Sequence, residues 1–155
     1  MNFTHSCVIP VGREALWNFL MDVPRVSQCV PGVQDVRAQG ANVYEGAMKV
    51  KVGPIRLNLS GRIHIESKDP EAGRATMSAD ADDSKIWAGI RSRMSMVLSS
   101  VAAQETEFKV ETDVTVLGKI GEFGQPIVRK KADAMMQEFA ENVRRQLIEE
   151  GNQLI

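Results

Sequence analysis

The residues able to do chemistry are few and scattered. Cys29 stands in SQCVPGVQDV, two positions ahead of a proline–glycine pair. A thiol becomes a nucleophile when a cation, a histidine or a helix N-terminus lowers its pKa. Cys29 instead falls at the C-terminal end of a short predicted helix, where the helix dipole opposes a thiolate. It is therefore expected as a wall of an interior pocket, beside Val26 and Val30. Pro31 halts the helix and Gly32 supplies the positive φ that redirects the chain. The pair is also a candidate gate, hinging the small helix over one end of the pocket.

Other polar candidates are weaker. The run ADADD, with Asp80, Asp82 and Asp83, offers carboxylates, but it lies where a strand should end and lacks a second group of ligands. A solvated turn is expected there. His64 sits between Arg62 and Glu66 on a polar face, and His5 is a lone histidine on a first strand, expected to be structural. An enzymatic reading, as a cyclase or hydrolase, has only Tyr44, His5 and Cys29 to nominate as acid–base groups. No catalytic constellation emerges.

Totals exclude several classes. The net charge of −1 gives no general attraction to nucleic acid. Two cysteines and two histidines have no metal-ligand spacing, and no covalent cofactor is expected. The N-terminus MNFTHSCVIP lacks a basic stretch followed by an apolar run, and no apolar run approaches the roughly 20 residues that span a bilayer. A cytoplasmic protein is expected, and 155 residues suit a single domain.

The elements that must position these groups follow from hydrophobic spacing. Residues 2–9 read as a strand. GREALWNFLMD takes helical spacing, with Leu16, Trp17 and Leu20 on one side, and PRVSQCV reads as a second short helix. Strand patterns follow in VQDVRAQG and ANVYEGAMKVKVG. IRLNLSGRIHIES then alternates strictly, with Ile55, Leu57, Leu59, Ile63 and Ile65 on one face and Arg56, Asn58, Ser60, Arg62 and His64 on the other. That is an antiparallel strand with one wet face. RATMSADAD, IRSRMSMVLSSVA and TEFKVETDVTVLG continue the pattern, making seven strands. From Ile120 to about Glu150 the spacing becomes helical, with Ile127, Val128, Met135, Phe139, Val143 and Leu147 as an apolar stripe. A helix of about 30 residues runs roughly 45 Å. Strands of 12–14 residues reach about 40–45 Å. One long helix can thus lie along a bent antiparallel sheet.

The inward faces are soft. Eight methionines and an aromatic content of 5% describe an aliphatic interior. Met48, Met77, Met94, Met96 and Met135 fall on inward faces, with Val50, Leu57, Leu59, Val110, Phe123, Ile127 and Phe139. Methionine fills irregular space and adapts to apolar shapes. A cavity so lined suits a long flexible molecule such as a lipid or a quinone. Thr112, Gln125 and Tyr44 are the inward groups able to bond a polar head. The basic run Arg129–Lys131, with Lys119, is a solvated helix face or a docking patch for an acidic partner or lipid head groups.

The motifs ALWNFLMDVPRVSQCVPGV, YEGAMKVKVGPI, LSGRI and VLGKIGEFGQPIV occur in order. Together they resemble the carbon monoxide dehydrogenase G-subunit (CoxG) family, within the START/Bet v 1-like (SRPBCC) superfamily, over about residues 3–147. The resemblance implies an α+β helix-grip fold, with a seven-stranded curved antiparallel sheet wrapped around the last helix and two short helices after the first strand. It also implies a non-enzymatic accessory protein for a molybdenum-hydroxylase-type carbon monoxide dehydrogenase, acting in maturation, membrane recruitment or electron-acceptor delivery. Some members of that family carry a hydrophobic C-terminal anchor. This chain stops in GNQLI just after the long helix, so direct anchoring is not expected of it; peripheral association with the inner face of the cytoplasmic membrane is the alternative to a purely cytoplasmic location. A cavity-free protein-interaction adaptor is the remaining alternative.

Overall fold

The computed structural model describes residues 1–153. Strand β1 (Asn2–Ile9) leads into helices α1 (Arg13–Met21) and α2 (Val23–Val26), and a 3-10 turn (Ser27–Cys29) follows. Six strands come next: β2 (Val33–Gly40), β3 (Val43–Val52), β4 (Ile55–Asp69), β5 (Arg74–Asp83), β6 (Ala88–Ala102) and β7 (Glu105–Gly118). Helix α3 (Gln125–Gln153) closes the order. All neighbours in the sheet are antiparallel, in the order β1-β7-β6-β5-β4-β3-β2. Because β1 and β2 occupy opposite edges, α1 and α2 must carry the chain across one end of the sheet. This is the helix-grip architecture of START/Bet v 1-like proteins.

Alternation sets the sheet's faces. In β4, Leu57 and Leu59 are buried while Arg56, Asn58 and Ser60 are exposed, and His64 is exposed on the outer face. Helix α1 buries Leu16, Trp17, Phe19 and Leu20. Helix α3 buries Val128, Val143 and Leu147 and half-buries Met135, Met136 and Phe139. These positions recur at three and four residues, the spacing of one helical face.

Three expectations are corrected. Helical spacing from Ile120 suggests one continuous helix, but Gly118 and Gly124 bracket a 3-10 turn (Lys119–Phe123), and α3 starts only at Gln125. Pro126 suits that first turn, where a missing N–H costs nothing. Ile127 leaves the apolar stripe: it adjoins the buried Val128 but lies about 100° around the helix, and is 41% exposed. Asp83 is not solvated. It is buried, and its carboxylate accepts N–H bonds from Asn58 (2.8 Å) and Lys85 (3.0 Å). Asp80 and Asp82 remain exposed beside Arg91, whose guanidinium approaches Asp82 at 3.0 Å.

The backbone N–H of Asn58, aided by those of Lys85 and Ile86 and by the Lys85 charge, holds the Asp83 carboxyl below the ordinary carboxylate range against the opposing effect of burial. A depressed folded pKa stabilises the protein fully above the unfolded value, and that stability is lost as pH falls through the folded one. Asp83→Asn is thus expected to lower the melting temperature by several degrees at pH 7. The gap to wild type should close in strong acid, as read from melting curves across pH.

The apolar core has two parts. One packs Ile9, Leu16, Phe19, Leu98, Phe108, Val143 and Leu147 near the α1 end. The other packs Val52, Leu57, Leu59, Ala88, Ile120 and Val128 toward the opposite end. The concave face between them is incompletely filled.

Candidate functional site

A cavity of about 470 Å³ lies between the sheet and α3. Small residues make room for it. The register sets Gly46 opposite Gly61, Gly61 opposite Ala81, and Ile63 opposite Ala79. These inward positions carry almost no large side chain, so the two core clusters never meet across the middle of the sheet. Gly61 is also required sterically, because a Cβ there would overlap the Asp80 carbonyl of the adjacent strand.

The walls bring together much of the expected set. Met48, Leu59, Met77, Met94, Met96, Val110 and Thr112 line the cavity from the sheet. Met135 and Phe139 line it from α3, and Val26, Val30 and Pro31 from the α2 end. Cross-strand pairing explains the methionine cluster, since Met77 stands opposite Met94 on adjacent strands.

Other expected wall residues lie elsewhere. Cys29 is 3% exposed and packs into the core beside the α1 helix rather than into the cavity, because the 3-10 turn rotates it away from Val30. Leu57, Val50 and Phe123 belong to the second core cluster beyond the cavity. Tyr44 shares the concave face, opposite Ile63, but is not on the cavity wall. Ile127 and Gln125 are exposed at the start of α3. Gly32 is not on the cavity wall, although its neighbours Pro31 and Val33 are.

The chain's path at Gly32 is tightly held. Its φ is +84°, its carbonyl accepts an N–H from Lys49 at 2.9 Å, and a Cβ would overlap the Lys49 carbonyl. The small helix above it is tied to α3 by Asn142 Nδ2, which donates to the Cys29 carbonyl at 3.0 Å, and by the Arg25–Glu150 ion pair. Arg25 also lies over the Phe19 ring, 4.8 Å from its centroid.

Burial pushes the Cys29 thiol up, against a lesser opposing pull from Arg25, and does the same to Cys7 against Arg144. Both are thiols at neutral pH. Cys29 is expected to react with a disulfide reagent on the order of 100-fold more slowly in the folded protein than in denaturant. Stopped-flow labelling of a Cys7→Ser variant measures this directly.

Polar groups on the wall are mostly occupied. Ser27 Oγ donates to the Pro24 carbonyl (2.8 Å) and Ser92 Oγ to that of Ala79 (3.4 Å). His5 Nε2 meets Asp133 Oδ1 at 2.8 Å, joining the edge strand β1 to α3. One turn earlier, Arg129 lies over the Phe3 ring (4.7 Å) and donates to the Asn2 carbonyl, so this arginine of the basic run is committed to β1. His5 Nδ1 and Thr112 Oγ1 are shielded from solvent and have no protein partner. Of Tyr44, His5 and Cys29, only His5 reaches the cavity. Asp133 was not legible as its partner, because 128 residues separate them in sequence.

A family model for the carbon monoxide dehydrogenase G-subunit (CoxG) matches residues 6–148. The chain belongs to the CoxG family. Comparison with curated proteins returns no match. Among solved structures, this CoxG-family chain resembles a conserved protein from Geobacillus kaustophilus, with a TM-score of 0.88 and 15% identity over 96% of both chains. A START superfamily protein from Mycobacterium smegmatis matches with a TM-score of 0.71 and 11% identity over 99% of both chains. The Zhui aromatase/cyclase from Streptomyces sp. R1128 matches at 0.65 and 13% identity over 95% of both. At these identities the likeness is one of fold.

Proposed function

We propose that this CoxG-family protein is a non-catalytic carrier that holds a lipid or quinone in its cavity and serves a molybdenum-hydroxylase-type carbon monoxide dehydrogenase. The observation carrying this reading is the cavity itself, about 470 Å³ and walled mainly by methionine, valine and other aliphatic side chains. Such walls bury an apolar chain with little demand on its exact shape. The family membership supports the accessory role. Native mass spectrometry of protein purified from its host tests the carrier reading. An adduct of lipid or quinone mass, lost on organic extraction, is expected; a clean apo mass together with no thermal shift from either compound class refutes it. Co-purification with dehydrogenase subunits tests the partnership separately.

Delivery of such a ligand calls for contact with a bilayer, and one end of the sheet is suited to it. Trp87, in the β5–β6 turn, is 85% exposed and adopts φ +53°. Its carbonyl accepts an N–H from Lys119, Leu117 nearby is 41% exposed, and Lys85 and Lys119 are exposed beside them. An indole rimmed by lysines matches the interface of an anionic membrane. No helix among the described residues is long and apolar enough to cross a membrane. Binding to phosphatidylserine vesicles is expected to fall about fivefold or more in Trp87→Ala, by co-sedimentation at low salt. Equal binding of variant and wild type removes this surface from the proposal.

A second reading is acid–base catalysis at His5, whose ring is oriented by Asp133 at 2.8 Å. A cyclase occurs among the proteins of similar fold. Turnover of a cavity-bound substrate that His5→Gln abolishes would favour it. The adaptor reading needs a filled interior and has less to recommend it.

A further inference from the structure

We propose that the β1–β7 wall of the cavity is a subsite for a hydroxyl group, so that the preferred ligand is a neutral alcohol or phenol with an apolar body. This rests on the reading of the cavity as a ligand site and, within the lipids and quinones of that reading, favours hydroxylated lipids and the reduced quinol over the quinone.

His5 stands opposite Val110, and Phe3 opposite Thr112, in the β1–β7 ladder. His5 and Thr112 are therefore diagonal neighbours on one face, a separation of about 7–8 Å that side chains can bridge. An ionised carboxylate only accepts hydrogen bonds, so Asp133 makes His5 Nε2 the donor. In the neutral ring Nδ1 is then an acceptor. The Thr112 hydroxyl both donates and accepts.

Neither His5 Nδ1 nor Thr112 Oγ1 has a partner, although both are shielded from solvent. Native proteins pair nearly all such groups. The edge-strand tie to α3 explains Nε2, but it explains neither Nδ1 nor the threonine. A ligand hydroxyl would serve both, donating to Nδ1 and accepting from Oγ1. A ketone or ether oxygen would serve only the threonine. A carboxylate would offer no proton to Nδ1 and would face the Asp133 charge behind the ring. A headless hydrocarbon would serve neither.

The test compares 4-nonylphenol, nonylbenzene and 4-nonylbenzoic acid by displacement of a fluorescent cavity probe. Wild type is expected to bind the phenol about 5–10-fold more tightly than nonylbenzene, the effect of one or two net hydrogen bonds. The benzoate should bind more weakly than the phenol. Thr112→Val and His5→Phe should each cut the phenol preference, read as the ratio of phenol to nonylbenzene affinity within one variant, to about twofold or less. Equal binding of phenol and nonylbenzene by wild type, or a preference surviving both variants, overturns the subsite and leaves the carrier reading standing. Failure of all three compounds to bind overturns both.

Thr112→Val also reports without ligand. Replacing an unpartnered buried hydroxyl by a methyl group of similar size should hold or raise the melting temperature of the free protein. A drop of several degrees would mean that the hydroxyl is already satisfied, and would overturn the subsite. Should His5→Phe fold poorly for loss of the Asp133 tie, the two Thr112→Val readouts decide the matter.

Discussion

Ala79→Phe is expected to abolish binding of long-chain ligands while leaving the protein folded and at least as stable as wild type. Ala79 lies on β5 between Ile63 and Ser92, with its side chain on the cavity wall. A benzyl group there would enter space that the native side chains leave empty. Filling a preformed cavity commonly adds about 0.5–2 kcal/mol to stability. The same ring would occupy the ligand's volume, and a loss of at least about 30-fold in affinity corresponds to about 2 kcal/mol of displaced apolar contact. Titration calorimetry and thermal melts together check the opposed signs. A destabilised variant with unimpaired binding would place the ligand elsewhere.

Gly32→Val is expected to cost about 3 kcal/mol or more, a large share of the roughly 5–15 kcal/mol that holds a domain folded. The position combines φ +84° with a Cβ that would overlap the Lys49 carbonyl. A β-branched residue is the least able to adopt that conformation. Denaturant titration measures the loss. This also bears on the gate expected at Pro31–Gly32: a substitution at Gly32 breaks the junction between the small helix and β3 whether or not the helix moves. The motion is better probed at Asn142, whose amide reaches the Cys29 carbonyl from α3. If the α2 end opens for ligand entry, Asn142→Ala should speed uptake several-fold at unchanged equilibrium affinity. Unaltered uptake would mean that the ligand enters elsewhere.

What could and could not be read from sequence divides along physical lines. The inward faces of β4 and α3 were readable from Leu57, Leu59, Val143 and Leu147, because period-two and 3.6-residue spacing are properties of a single element. The cavity's methionines were readable for the same reason. The distinction between a packed inward residue and one facing open space was not. Leu57 and Leu59 are two residues apart on one face, yet only Leu59 reaches the cavity wall. The difference depends on where the second core cluster ends. One signal of the cavity does lie in the sequence: Gly46, Gly61, Ala79 and Ala81 fall at inward positions where the alternation calls for bulk, and their smallness makes the cavity.

Hydrophobic spacing, turn residues and ordered motifs were enough for the order of elements, the face each presents and the family, since each of these signals acts over a short stretch of chain. Which inward side chains meet one another came from the assembled fold. Packing set Asp83 beneath the Asn58 amide, moved Cys29 into the core, and brought Asp133 of the last helix against His5 of the first strand. Those contacts depend on sheet curvature and on how α3 lies across the sheet. Both are summed over many residues, and neither is encoded in any short stretch.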